Sequence, residues 1–111
     1  MTQEELYAVL VKAELPVTYN AWKPGQTPNL PFIAYRLVQT INFYADNVVY
    51  KRVEVYDVEL YMTDKDLGAE RKLENVFRLN NINFTKLEQP IDSQGMLEVV
   101  YTINLMGEIN G

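Results

Sequence analysis

The 111-residue sequence contains no cysteine and no histidine. Without cysteine the chain can form no disulfide, no thiolate nucleophile and no zinc–thiolate site. Without histidine it lacks the commonest general base and metal ligand at neutral pH. The single serine, Ser93, lies in a turn-like segment with no histidine to activate it, and the five glycines are isolated rather than grouped in a phosphate-binding loop. The sequence therefore predicts a protein that is not an enzyme and that holds no cofactor or metal.

Long apolar runs and concentrations of positive charge are also missing. No apolar run approaches the roughly 20 residues that span a bilayer, and the first five residues are acidic where a signal peptide is basic. We therefore expect a cytosolic chain with no membrane contact. The net charge is −5, and the ten basic residues are scattered with two adjacent pairs. This pattern argues against tight binding of DNA or RNA.

The composition is that of an ordinary globular protein. Hydrophobic residues make up 48% of the chain and charged residues 23%, a balance far from that of disordered proteins. At this length the chain has room for one modest core, and the pattern contains no linker or internal repeat. We predict a single domain over residues 1–111.

Two segments have the spacing of amphipathic helices. Thr2 and Glu5 form a capping-box pattern, and apolar residues at helical intervals follow to about residue 14. Asp64 or Asp66 can cap a second helix, which Asn80 and Asn81 would end. The apolar stripe of this second helix consists of Ala69, Leu73, Val76 and Phe77, and its polar face of Glu70, Arg71, Lys72, Glu74 and Asn75.

The remaining periodic segments predict strands. They cover residues 17–22, 32–39, 53–62, 83–89 and 96–106, with residues 42–49 interrupting the second strand and residues 90–95 forming a turn. In the third strand the even-numbered residues form a mostly apolar face. Its odd face is mixed and is expected to meet another element or another subunit: Val53, Val55, Asp57, Glu59 and Tyr61. The order predicts an α+β fold, a mainly antiparallel mixed sheet with two helices packed on one side.

Carboxylates are the only chemically suggestive groups. Asp57 and Glu59 share a strand face, but catalysis would need a pocket that separates their pKa values, so a solvated face or a salt bridge at a subunit interface is favoured. Residues 64–68 faintly match the start of a calcium loop. Such a loop needs about five or more oxygen ligands, whereas helix capping explains these aspartates directly.

Tyrosine is unusually frequent, with eight residues. Base stacking would require a positive groove, so sheet packing and protein interfaces are the better explanations. Tyr35, Tyr56 and Tyr101 are expected in or beside the core. Residues 43–50 are different, because their aromatic side chains lie on or beside a polar segment. They would be exposed unless a partner covers them or the loop folds back onto its own sheet.

The order of several short segments resembles small tail proteins of long-tailed phages and prophages, namely tail terminator, tail completion and head-to-tail joining proteins. The segments are Pro31-Phe-Ile-Ala-Tyr35, Ala45-Asp-Asn47, Val58-Glu-Leu-Tyr-Met-Thr63 with Lys65-Asp66, and the helix with Glu70 and Glu74. The resemblance extends from about Leu6 to Leu105. It rests on common residue types and their order rather than on a catalytic signature.

This resemblance implies a virion protein made in the bacterial host cytoplasm. It would close as a hexameric ring on the tail tube protein, join the tail to the head-tail connector proteins, and let DNA pass without tight binding. Residues 42–51 would then form a loop or extended hairpin at a subunit or tube contact. The implied interface comprises Phe43, Tyr44, Asp46, Asn47, Tyr50, Lys51, Val55, Asp57, Glu59 and Tyr61.

Two alternatives stay open at the level of sequence. One is a small non-catalytic ligand-binding or regulatory α+β domain, which would contain a preformed apolar pocket. The other is an enzyme subunit without catalytic residues of its own. A mixed sheet with two helices hosts many functions, so the fold alone does not separate these classes.

Overall fold

The computed structural model describes residues 1–91 and 95–107. In chain order, the elements are α1 (Gln3–Leu10), a 3₁₀ turn (Val11–Ala13), β1 (Val17–Tyr19), β2 (Phe32–Ala45), β3 (Val48–Met62), α2 (Leu67–Leu79), β4 (Phe84–Ile91) and β5 (Met96–Met106). The strands form one sheet in the order β1-β2-β3-β5-β4. Only β1 and β2 run parallel among these neighbours, and the other three pairs are antiparallel.

Both helices pack on the same face of this sheet and form one core with it. On β3 the residues from Tyr56 to Met62 at even positions are buried, and on β5 the residues from Val99 to Leu105 at odd positions are buried. Strand alternation and helical periodicity thus put their apolar sides against each other. The α+β fold is confirmed, as is the burial of Tyr35, Tyr56 and Tyr101.

The helix starts follow the capping rules. The Thr2 side chain accepts a hydrogen bond from the Glu5 backbone amide, and Glu5 in turn accepts one from the Thr2 amide, so the predicted capping box is present. Asp66 rather than Asp64 caps α2, because its Oδ1 accepts from the Ala69 amide at 3.1 Å. The regular first helix is shorter than predicted, since it tightens into the 3₁₀ turn after Leu10.

The predicted interruption of the second strand at residues 42–49 was wrong. Strand β2 continues to Ala45 and β3 begins at Val48, so the two strands form a long hairpin joined by Asp46 and Asn47. Both turn residues have positive φ, 52° and 63°. Such a two-residue turn matches the twist of the strands, and Asp and Asn tolerate this backbone conformation better than most residues. Because these two residues form a tight turn, β2 and β3 stay paired through the segment that was predicted to interrupt the strand.

Two other strand boundaries needed correction. Strand β1 ends at Tyr19 rather than residue 22, and β4 includes Pro90 and Ile91, which were predicted in the turn. Pro90 pairs with Leu97 at the edge of the sheet, where a missing backbone donor costs little. The middle of the predicted turn, including Ser93, lies outside the described residues.

Candidate interaction site

The β2–β3 hairpin extends beyond the rest of the sheet. Pairing between β3 and β5 ends at Val53 and Met106, and β1 pairs with β2 only at residues 33–35. Within the described residues, residues 41–52, here named the distal hairpin, therefore continue as a two-stranded ribbon, with one further hydrogen bond at its base from the Gly107 amide to the Arg52 carbonyl at 2.9 Å. The chain is correspondingly elongated, with principal extents of 51, 29 and 23 Å.

The distal hairpin is rich in exposed apolar side chains. Tyr44 is 62% exposed, Val48 64%, Tyr50 60% and Phe43 39%. Lys51 lies over the Phe43 ring, with its Nζ 5.4 Å from the ring centroid. Singly exposed apolar residues are normal on a protein surface, but a group of them at a protruding tip is typical of an interaction site.

The distal hairpin is also held in one shape. Backbone pairs connect its strands from Asn42 and Arg52 up to Ala45 and Val48, with one irregularity next to Tyr44. The side-chain oxygen of Asn42 accepts a hydrogen bond from Arg52 Nε at 2.9 Å. A paired ribbon with a tight turn loses little conformational entropy when it binds.

The ten predicted interface residues fall into two separate groups in the structure. Six belong to the distal hairpin: Phe43, Tyr44, Asp46, Asn47, Tyr50 and Lys51. The other four, Val55, Asp57, Glu59 and Tyr61, alternate along β3 on the sheet face opposite the helices, here named the open face. The structure therefore brings together the members of each group but does not join the groups into one patch.

The charged residues of the open face are paired within the chain. Arg36 on β2 lies across from Asp57, and its guanidinium is 3.5 Å from Glu59 and 4.0 Å from Asp57. Thr102 on β5 donates a hydrogen bond to Asp57 at 2.9 Å. Asp57 and Glu59 thus form ion pairs within a single chain, whereas the sequence predicted a solvated face or a salt bridge at a subunit interface. Sequence reasoning missed Arg36 and Thr102, because strand order decides which residues lie opposite Asp57 and Glu59.

Glu98 is the most unexpected member of the open face. It pairs with Tyr61 across the β3–β5 ladder and is buried. Gln89 donates a hydrogen bond to Glu98 at 2.6 Å, and Tyr61 donates one to Glu59 at 2.6 Å. Burial and a hydrogen bond to Glu98 raise the pKa of Glu59 to about 7, so the two carboxyl groups hold one proton between them below about pH 7 and release it above.

Aromatic side chains cover one end of the open face. Trp22, from the loop after β1, packs edge-on against Phe32, with ring centroids 6.0 Å apart. The Phe32 ring in turn packs on Tyr61, with ring centroids 5.3 Å apart. Burial, followed by the hydrogen bond to Glu59, raises the pKa of Tyr61. A carboxyl pair can act in general acid–base chemistry, but here Arg36, Tyr61 and Gln89 already contact its oxygens. We interpret the Glu59–Glu98 pair as a structural contact between strands rather than as an acid–base site.

Glu70 corrects the predicted polar face of α2, since it is 2% exposed. Lys65, before α2, and Lys86, on β4, lie 2.8 Å and 2.6 Å from its two carboxylate oxygens. Burial opposes ionisation of Glu70, but the hydrogen bonds from both lysines outweigh it and lower the pKa of this carboxyl. Helical periodicity predicts which side of α2 a residue occupies but not that two lysines from other segments reach over to it.

A groove of about 830 Å³ lies between α2 and the start of β4. Its lining includes the half-buried ring of Phe84 and the buried side chain of Ile82. The basic residues Arg71, Lys72 and Arg78 line it from α2, with Asn75 accepting a hydrogen bond from Arg78. Glu74 also lines the groove, but it already accepts hydrogen bonds from Lys86 and Tyr101. Three of the ten basic residues, all from α2, thus line one groove.

The described residues contain no cluster of side chains suited to binding a metal ion. Within residues 1–91 and 95–107, no group of three or more Asp, Glu, His or Cys side chains is placed to hold a metal ion. No helix in this part of the chain is both long and apolar enough to span a bilayer. The distal hairpin and the groove present aromatic rings, apolar surface and fixed charges.

Comparison with known proteins does not place the chain in a family. No protein-family model matches it. A search of curated proteins likewise finds no significant match.

Proposed function

We propose that this chain is a structural protein of a phage or prophage tail, a tail terminator or tail completion protein. In this proposal several copies, six in the resembled family, close as a ring on the last ring of tail tube protein and present a surface to the head-tail connector. The chain works by binding rather than by turnover. Its place is the virion tail, after assembly in the bacterial cytoplasm.

The observation that carries the proposal is the distal hairpin. The segment whose sequence resembles tail proteins projects past the end of β5 and exposes aromatic residues at its tip. Ring closure needs heterologous contacts, in which one surface of a copy meets a different surface of the next copy. A stiff apolar ribbon separated from the core supplies one such surface without exposing the core itself.

The electrostatics of the open face are compatible with this role. Arg36 of β2 pairs with Asp57 and Glu59 of β3, and Thr102 of β5 donates a hydrogen bond to Asp57, so both carboxyl groups have partners within the chain without a bound ligand. The net charge of −5 would weaken contacts with phosphate and let DNA pass through a ring without adhering. We propose that the chain makes no tight nucleic-acid contact.

Electron microscopy of particles from the phage or prophage that encodes the chain tests the proposal. Its gene is deleted, and the intact chain is supplied in parallel. We expect overlong or headless tails beside unattached full heads after deletion, and normal particles after complementation. Normal particles without the chain would rule out a terminating or joining role.

The groove between α2 and β4 favours one alternative, a small ligand-binding or regulatory domain. Its volume of about 830 Å³ is within the range of small-molecule sites, and its basic residues would select an anion. A ligand that binds only the folded state stabilises it by RT ln(1 + L/Kd), where L is the ligand concentration, so the melting temperature rises with the logarithm of that concentration once it exceeds Kd. A screen of small organic anions by thermal shift tests this alternative, and it fails if no compound in the screen moves the melting temperature.

A further inference from the structure

We propose that the groove between α2 and β4 receives the tip of the distal hairpin from a second copy of this chain. This inference rests on the proposed function, since it names the two surfaces that would meet when copies assemble. It assigns the donor surface to residues 43–50 and the receptor surface to Ile82, Phe84 and the basic residues of α2. The contact is heterologous, so that each copy donates one tip and receives another.

The first argument is complementarity of the two surfaces. The tip presents exposed rings at Tyr44 and Tyr50 together with the carboxylate of Asp46. The groove presents an aromatic and aliphatic lining flanked by Arg71, Lys72 and Arg78. Arginine and lysine stack favourably on tyrosine rings, and a cationic rim attracts the turn carboxylate. Each chemical feature of the tip therefore has a counterpart in the groove.

The second argument is that Glu74, the acidic residue in the lining of the groove, is paired with residues other than the basic residues that line it. Glu74 accepts hydrogen bonds from Lys86 at 2.8 Å and from the Tyr101 hydroxyl at 2.7 Å. Lys86 in turn contacts the buried Glu70. These contacts turn the carboxylate of Glu74 toward β4 and β5, so the groove retains a positive character in a chain that is acidic as a whole.

The third argument is distance, which excludes the chain's own tip as the occupant. Phe84 pairs with Ile103, and Ile103 pairs with Tyr56, so the groove lies level with Tyr56 along the sheet. The turn at Asn47 is nine residues further along β3. At about 3.3 Å per residue this separation is roughly 30 Å. Because the hairpin is paired up to its turn, it cannot fold back over that distance, and the tip must come from another copy.

The contact is small, which sets how strong it can be. Four exposed apolar side chains on the tip offer less than the roughly 800 Å² per partner of a standard stable interface. One tip in one groove is therefore a weak pair. Closure of a ring makes the last contact intramolecular and increases the overall stability without new kinds of contact.

Cysteine cross-linking tests the pairing, and the absence of native cysteine makes the readout specific. The double variant carries Tyr44→Cys on the tip and Asn83→Cys at the groove, both exposed positions. The matched control carries Tyr44→Cys with Leu87→Cys. Leu87 is 62% exposed on the same strand as Phe84 but faces the other side of the sheet. Both purified chains are oxidised at high concentration and compared on non-reducing gels.

We expect a ladder of disulfide-linked oligomers from the Tyr44–Asn83 variant, on the order of tenfold more abundant than from the control, as a preference of about 1.4 kcal/mol would give. Equal ladders from both variants, or none from the Asn83 variant, would overturn the pairing. Deletion and complementation of the gene decide the tail role separately. Defective tails without a ladder would leave the tail function and remove this contact, whereas a ladder with normal particles would do the reverse.

Discussion

The two halves of the β2–β3 hairpin behave differently although they belong to the same strands. In the half covered by the helices, every even residue of β3 from Tyr56 to Met62 is buried. In the distal hairpin, residues of the same apolar and aromatic types are exposed, because among the described residues no helix packs on its tip and no further strand pairs with it. Residue type alone therefore does not separate core from interaction surface in this hairpin. What separates them is whether the residue lies under the helices.

The largest expected effect comes from truncating the core of the covered half. Phe77 on α2 is fully buried and contacts Phe84 and Tyr101. Phe77→Ala should lower the free energy of unfolding by about 4 kcal/mol, through lost apolar burial and the cavity left behind. Urea denaturation measures this change. The control is Leu79→Ala on the same helix, where the side chain is 68% exposed. A similar loss in both variants would mean that burial in the core is not what distinguishes the two positions.

A smaller loss is expected from the ion cluster that connects α2 to β4. Glu70→Ala removes the buried carboxylate that Lys65 and Lys86 share and should cost about 2 to 3 kcal/mol, at the low end for buried pairs because both lysines can reach water. Glu88→Ala removes an exposed partner of Lys65 and should cost less than about 1 kcal/mol. Thermal unfolding of both variants at pH 7 measures the difference. The assignment of the cluster fails if the Glu88 variant is the less stable of the two.

The open face should make stability depend on pH. The pKa of Glu59 in the fold is about 7, above its ordinary 4.5, first because of burial and then because of Glu98. The folded state therefore holds a proton that the unfolded state releases. Stability from this group is complete below about pH 4.5 and is lost as the pH rises through about 7, with an expected total decrease of about 3 kcal/mol, at about 1.4 kcal/mol for each unit between the two pKa values.

Urea denaturation at a series of pH values from about 5 to 8 measures this decrease. Glu59→Gln keeps the shape of the side chain and removes its titration. We expect this variant to have a nearly flat stability profile over the same range. A wild-type profile without a decrease, or a decrease that persists in Glu59→Gln, would contradict the raised pKa of Glu59.

The smallest effect on stability is expected at the tip of the distal hairpin. Tyr44→Ala with Tyr50→Ala should change the free energy of unfolding by less than about 1 kcal/mol, since both side chains are mostly exposed. The same variant should fail to restore tail assembly when it replaces the intact chain, because aromatic residues dominate the energy of many interfaces. Complementation followed by electron microscopy measures assembly.

Leu87→Ala is the matched control for the tip, because Leu87 is also 62% exposed but lies on β4. It should restore assembly. A large drop in melting temperature in the tyrosine variant would instead place Tyr44 and Tyr50 in the packed structure. Normal assembly by that variant would remove the tip from the proposed interface.

The periodic parts of the fold were predictable because their signals are local. The alternation in β3 and β5, the capping box at Thr2 and the apolar stripe of α2 each depend on residues a few positions apart. Strand periodicity predicts an interruption at residues 42–49, because it takes no account of the turn at Asp46 and Asn47, whereas the resemblance implies a loop or extended hairpin over residues 42–51. Asn42 instead accepts a hydrogen bond from Arg52 across the ribbon, and the turn residues adopt positive φ. Both features depend on pairing between strands.

The sequence by itself determined which faces of the strands and helices are apolar, and with them the α+β class of the fold, because hydrophobic periodicity follows directly from backbone geometry. Only the tertiary structure decided which charges meet. Glu70 is buried between lysines from two other segments, and Glu59 lies against Glu98. These neighbours are set by strand order and register, which bring residues far apart in sequence within a few ångströms of each other.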